Sequence, residues 1–274
     1  MADQGTRLET EDDVRHALQM HRASAAGRLP AAGAGTTANE PAPLFRPTLR
    51  PPTPILTACD DGSEDGESIR IRKDTFVIGR TEGDLIIPND AQISSRHAEL
   101  RQSLLREKYR WSLIDLQSTN GTYVRVGQAV LVHGQEFLIG CTRFQFEHQT
   151  ATDSGPPKPT TASEHSTRSW QTAAPGGDSA AIVDLTNIGT GARFLLDGPE
   201  TWLGKDAAHC QIVISTDPLV NARHARIRRQ DDGRWMLENN KSVNGIWLRV
   251  EQISFQGTCC FMLGEQRFTL RMPQ

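Results

Sequence analysis

The sequence predicts an all-β protein built from two sandwich-like units, and three observations predict it. Between Ile55 and Phe146, short apolar runs alternate with turn residues, the spacing of a sandwich or barrel rather than of helices. From Ala180 to about Leu270 the same kind of series returns. The two series are also one repeat, offset by about 125 residues: Gly79-Arg80 matches Gly204-Lys205, Arg96-His97-Ala98 matches Arg223-His224-Ala225, and Asn120-Gly121 matches Asn244-Gly245. That offset is far above the roughly 20–50-residue period of a solenoid, so two whole domains are expected.

In chain order, residues 1–51 read as a mostly disordered, flexible arm. Within it, Thr10 followed by Glu11, Asp12 and Asp13 predicts an N-capped short helix over about 10–22. The Ala/Gly/Pro-rich stretch after it has too few large apolar groups to offset the entropy of ordering. The first domain is expected over 52–149, its strands including Ile69–Ile71, Thr75–Ile78, His97–Leu100, Tyr109–Ile114, Thr122–Val124 and Phe137–Ile139. Gly83, Asn89-Asp90, Asn120-Gly121, Gly127 and Gly134 punctuate them. Residues 150–177, with Gly155-Pro156-Pro157 and Pro175-Gly176-Gly177, read as a linker, and 178–274 as the second domain.

Composition excludes several classes. A net charge of −3 lacks the basic excess of a dedicated nucleic-acid binder. The Arg223, Arg226, Arg228, Arg229 strip reads as a solvated strand face. Five scattered cysteines, Cys59, Cys141, Cys210, Cys259 and Cys260, form neither a disulfide framework nor a zinc site, and read as thiols in a reducing compartment. The N-terminus Met1-Ala2-Asp3-Gln4 opens no signal peptide. No apolar run reaches the roughly 18 residues of a membrane span. A cytoplasmic protein without membrane insertion is expected.

Three motifs of the first unit fall at strand ends, where they can share one edge of a sandwich. They are Gly79-Arg80, Ser94-Ser95-Arg96-His97 and Ser118-Thr119-Asn120-Gly121-Thr122. A phosphate monoester carries close to two negative charges and three acceptor oxygens. Arg80 offers the guanidinium fork that such a group requires. Ser94, Ser95 and Thr119 offer hydroxyls, and the Asn120 amide can hold an extended peptide backbone.

In their order and spacing these motifs resemble the tandem forkhead-associated (FHA) domain proteins of the bacterial adaptor type. The resemblance covers about 52–149, with a weaker copy over about 178–272. It implies sandwiches of about eleven strands in two twisted, antiparallel-rich sheets, reading phosphothreonine peptides through loops at one end. It also implies that Arg80, Ser94 and Thr119 contact phosphate, with Ser95 assisting. Asn120 would hold the ligand backbone, and Gln92 would tune preference for the third residue after the phosphothreonine. Gly79, His97 and Gly121 would support the loops, His97 bracing the one that carries Ser94.

The second copy departs from the pattern. Lys205 replaces the arginine, Asn221 and Ala222 replace the two serines, Val243 replaces the threonine, and Asn244 remains. A weak or phosphate-independent surface is expected there, with Leu219 and Val220 adding apolar area and a route to homo-oligomers. The chain thus reads as a non-enzymatic adaptor without cofactor or metal. Its partners would be phosphothreonine proteins and a Ser/Thr kinase or its substrate. The alternative is a self-associating structural scaffold. Gly198–Lys205 is one residue too long for a P-loop, and Asp206 stands where Ser or Thr would bind magnesium.

Overall fold

A computed structural model of the chain describes residues 7–9, 13, 53–59, 63, 65–105, 108–149, 179–186 and 191–272. Apart from Arg7–Glu9 and Asp13, the arm with its expected helix lies outside the described residues, as do Trp170 and the rest of the linker.

The short arm strand β1 (Arg7–Leu8) precedes the first repeat. That repeat forms β2 (Ile55–Cys59), β3 (Gly66–Arg70), β4 (Thr75–Gly79), β5 (Leu85–Ile86), β6 (Ala98–Leu105), β7 (Lys108–Asp115), β8 (Thr122–Leu131), β9 (Glu136–Ile139) and β10 (Thr142–Gln149). The second forms β11 (Ser179–Asp184), β12 (Arg193–Leu195), β13 (Glu200–Gly204), β14 (Ile212–Val213) and β15 (Ala225–Arg229). It continues with β16 (Trp235–Asn239), β17 (Ile246–Val250), β18 (Gln252–Phe255), β19 (Cys259–Leu263) and β20 (Gln266–Arg271). Pairing is antiparallel except for β4 with β5 and β13 with β14.

The repeats do not close on themselves; they exchange their C-terminal strands. β18 of the second repeat pairs with β7 and completes the sheet β18-β7-β6-β4-β5. In mirror fashion, the second half of β8 pairs with β16 and completes β8-β16-β15-β13-β14. β2 pairs with β20, and β10 with β11, so each repeat's first strand lies beside the other's last. A continuous run β3-β2-β20-β19-β8-β17-β9-β10-β11-β12 joins the two sandwiches. The sandwiches are therefore not bounded at 52–149 and 178–274. One holds β2–β7, the first half of β8 and β18–β20; the other holds β11–β17, the second half of β8, β9 and β10. Each holds ten strands or half-strands, close to the eleven or so expected.

The crossing passes through Arg125-Val126-Gly127-Gln128, which stays extended within β8, with Gly127 not at the positive φ of a hairpin turn.

A near two-fold relation centres on the β8·β17 ladder, where Val124 faces Leu248. Phe261 flanks Val124 and Phe137 flanks Leu248, giving a four-strand row of side chains buried to 1% or less. Phe137 stacks on Phe144 and Phe261 on Phe268, with ring centroids 5.6 and 5.1 Å apart. Burial of one such side chain is worth about 1.5–3 kcal/mol. This row, contributed by both repeats, fastens the sandwiches together.

Candidate functional site

The first repeat's three motifs meet at one end of its sandwich through backbone bonds. Arg80 N–H donates to Ser94 O at 2.9 Å, and Glu82 N–H to Ser95 O at 3.0 Å. A Cβ on Gly79 would collide with Ser95 O and Glu82 O, so only glycine admits this approach of two loops. His97, fully buried, ties its own motif to the Asn120-Gly121 turn. Its Nδ1 accepts from Ser94 N–H at 3.1 Å, and its Nε2 donates to Gly121 O at 3.1 Å. Ser94 Oγ accepts from Thr119 N–H at 3.0 Å. Asn120 Nδ2 donates to Gln92 O and to Gln92 Oε1, each at 2.8 Å.

Beneath the turn, Asp115 accepts from Ser118 N–H, Ser118 Oγ and Thr122 Oγ1 at 3.0, 2.6 and 2.6 Å, while Ser118 Oγ accepts from Gly121 N–H. Gln117 at φ 59° and Gly121 at φ 85° set the bend. Arg80 is half-buried and has no ion-pair partner among the described residues. Its backbone is bonded to Ser94, which neighbours exposed Ser95 and whose Oγ accepts from the N–H of exposed Thr119. All nine residues expected at this site are thus brought together.

The second repeat reproduces the frame almost bond for bond. Lys205 N–H donates to Asn221 O, Asn221 N–H to His224 Nδ1, and His224 Nε2 to Gly245 O at 2.8 Å. Asn221 Oδ1 takes the place of the serine hydroxyl, accepting from Val243 N–H at 3.3 Å, and Asn244 Nδ2 donates to Leu219 O at 2.8 Å. Lys205 Nζ turns to Pro218 O at 3.2 Å. Leu219 is exposed, but Val220 is buried against the core, so the apolar surface expected from this pair reduces to Leu219. The arginine strip is only partly solvated: Glu238 pairs with Arg226 and Arg228, and Arg223 stacks 4.0 Å over Trp202. The cysteines are free; Cys141 is exposed and Cys59, Cys210 and Cys259 are buried.

Both sites borrow from the opposite repeat through residues that motif reading passes over. Asp90 Oδ1 accepts from Gln92 N–H, and its Oδ2 accepts from Glu265 N–H at 2.7 Å. Its counterpart Asp217 accepts from Leu219 N–H and Cys141 N–H. Arg249 lies against Gly121, and Arg125 against Gly245. Arg125 Nη2 also donates to Val243 O at 2.8 Å. The available signal was their recurrence: Asp90 with Asp217, and Arg125 with Arg249, repeat at the offset of the motifs. Arg125 is further paired with Glu9, a buried residue of the arm that also accepts from Asn239 Nδ2.

The two turns stand at opposite ends of the shared ladder. Gly121 precedes the Thr122↔Val250 pair, and Gly245 precedes the Ile246↔Val126 pair. At about 3.4 Å per residue the turns are roughly 20 Å apart along the strands.

Burial pushes the His97 imidazole below its ordinary pKa, against the pull of Gly121 O and the Asp115 and Asp90 charges; burial does the same to His224. Protonation would place a hydrogen on Nδ1, facing Ser94 N–H. The unfolded chain therefore takes up these protons first. Stability is complete above about pH 6.5 and is lost as pH falls from there toward the folded-state pKa values. The melting temperature is expected to fall between about pH 7.5 and 5.5; a flat profile would contradict the neutral-imidazole geometry.

Among the described residues no group of three or more His, Cys, Asp or Glu is placed to hold a metal ion, and no helix is long and apolar enough to cross a membrane. Two β-sandwiches with the same loop frame in each repeat define the class of fold. The family model for the FHA domain matches residues 76–140 and 201–256, one match in each repeat. The chain is an FHA-domain protein. Among curated relatives it is 33% identical over 99 residues to the glycogen accumulation regulator GarA of Mycobacterium tuberculosis, covering 35% of this chain and 59% of GarA. It is 33% identical over 73 residues to the E3 ubiquitin-protein ligase RNF8 of Bos taurus, covering 25% of this chain and only 15% of RNF8. A solved structure from a study of phosphothreonine-dependent FHA domain interactions is 36% identical, covers 26% of this chain and 68% of that one, and has a TM-score of 0.22. Mycobacterium tuberculosis EmbR in complex with a low-affinity phosphopeptide is 20% identical, covering 35% of this chain and 24% of EmbR, at a TM-score of 0.22.

Proposed function

We propose that the chain is a phosphothreonine-peptide-binding adaptor in Ser/Thr kinase signalling. Its first-repeat site reads the phosphate, and its second-repeat site is a weak or phosphate-independent interaction surface. The observation that carries this reading is Arg80, half-buried and without an ion-pair partner among the described residues, with its backbone bonded to Ser94, whose hydroxyl in turn holds Thr119. A dianionic phosphate would satisfy that cation and those donors together. Asn120, oriented by Gln92, keeps its amide oxygen for the backbone of an extended ligand. In the second repeat, lysine gives a point charge without the fork, and valine removes a hydroxyl. With the sites at opposite ends of one ladder, the adaptor would hold a phosphorylated partner at one end and a second protein at the other.

Titration calorimetry on the whole chain tests the reading. A phosphothreonine peptide selected from an oriented library is expected to bind, and its unphosphorylated form is not. Equal affinity for the two would refute it. With Arg80→Ala, phosphopeptide binding is expected to be far weaker, since the second site does not make up the loss.

A further inference from the structure

We infer that the first peptide-reading site is composite, and that Arg249 of the second repeat is the positioning residue for the Asn120-Gly121 turn. The inference rests on the phosphothreonine reading of that site.

Asn120 can hold a ligand backbone only if the turn that carries it is fixed. On one side His97 fixes it, donating from Nε2 to Gly121 O. Where a side chain would project from Gly121, the three nearest atoms all belong to the Arg249 side chain of the other repeat. A Cβ on Gly121 would stand 3.0 Å from Arg249 Cζ and 3.1 Å from its Cδ, and closer still to Nε. The guanidinium therefore lies flush on the glycine, and glycine is required there both for that approach and for its φ of 85°.

Arg249 is itself held at three points. Its Nη1 donates to Glu136 Oε1 at 2.8 Å, its backbone O accepts from Gln135 Nε2 at 2.8 Å, and its backbone pairs with Tyr123 in the β8·β17 ladder. The same arrangement recurs at the other end, where Arg125 packs on Gly245 and bonds Val243 O. Recurrence at both turns argues for a brace built into the exchange rather than a chance contact. A guanidinium does this because its plane packs on a bare backbone while its edge stays tied to a carboxylate. Lysine has no plane to offer.

The test uses the full chain and a phosphothreonine peptide selected on the wild type. Affinity is measured by calorimetry at a temperature well below each variant's melting point. Arg249→Ala is expected to lower affinity by about tenfold or more, as for one hydrogen bond lost from a preorganised site. Arg249→Lys, which keeps the charge, is expected to recover only part of it. Amide signals of Asn120 and Gly121 should move, while those of Gly79 and Arg80 stay. A purely structural role would lower the melting temperature and leave the affinity of the folded variant intact; that result overturns the inference. If Arg249→Ala fails to fold, Arg249→Lys and Arg249→Gln decide it by the same comparison. Absence of binding by the wild type would instead refute the phosphothreonine reading.

Discussion

Replacing Arg80 by alanine is expected to cost about 2–5 kcal/mol of phosphothreonine affinity, the range for removing one partner of a desolvated charge pair. Arg80 is half-buried and its backbone is pinned to Ser94 O. No ion pair holds it among the described residues, so under the proposed reading the ligand phosphate would be its counter-ion. Arg80→Lys should fall between, since the ammonium keeps charge without the two-pronged geometry. Ser94→Ala should cost less, about 1.5–3 kcal/mol for a hydrogen bond to a charged group. Part of that loss is indirect, because Ser94 Oγ also receives the Thr119 N–H and ties two loops together. Calorimetry on the full chain measures all three. An Arg80→Ala variant that kept wild-type affinity would place the phosphate elsewhere.

The site was legible in the sequence because its chemistry is local. Arg80, the Ser94–His97 run and the Ser118–Thr122 run are each contiguous, and each joins charge, hydroxyl or amide to a glycine or turn. The strand exchange was not legible. The largely apolar runs Thr122–Val126 and Ile246–Val250 specify buried strands, but not which neighbour buries them. Two similar repeats offer each strand two equivalent partners. Gly127-Gln128 even offers the Gly-X pair of a type II′ hairpin, so the local sequence points to closure rather than exchange. Arg249 and Asp90 were hidden for the same reason, since their targets lie in the other repeat. Glu9 was hidden by composition, as the arm carries too little apolar surface to fold alone. It is buried because Arg125 requires an anion. Arg249 finds Glu136, but the corresponding position in the second repeat is Cys260, and the arm supplies the missing carboxylate.

The exchange also makes a demanding prediction: residues 52–149 expressed alone should form no monomeric, phosphopeptide-binding sandwich. That segment lacks β18, β19 and β20, whose side chains complete its core. Phe255 pairs opposite Trp111, Ile253 opposite Leu113, Phe261 opposite Val124, and Leu270 opposite Leu56, all of them buried. At about 1.5–3 kcal/mol for each large apolar side chain, the loss of Ile253, Phe255, Phe261, Leu263, Phe268 and Leu270 matches or exceeds the whole stability of an ordinary domain, about 5–15 kcal/mol. The segment's own β9 and β10 could substitute only through a reversal at Val126-Gly127, which the strand does not make in the full chain. Two outcomes are then open to the fragment. It stays unfolded, or two copies exchange strands with one another, since the Val124 row can pair across a true two-fold as it does across the near one. Adding residues 178–274 in trans should restore a cooperative melt and phosphothreonine binding at a one-to-one ratio. Sedimentation and calorimetry on the separate and mixed fragments test this. A monomeric 52–149 fragment that bound phosphothreonine peptide with the affinity of the whole chain would show that the repeat closes on itself in solution, and the composite site would fall with the exchange.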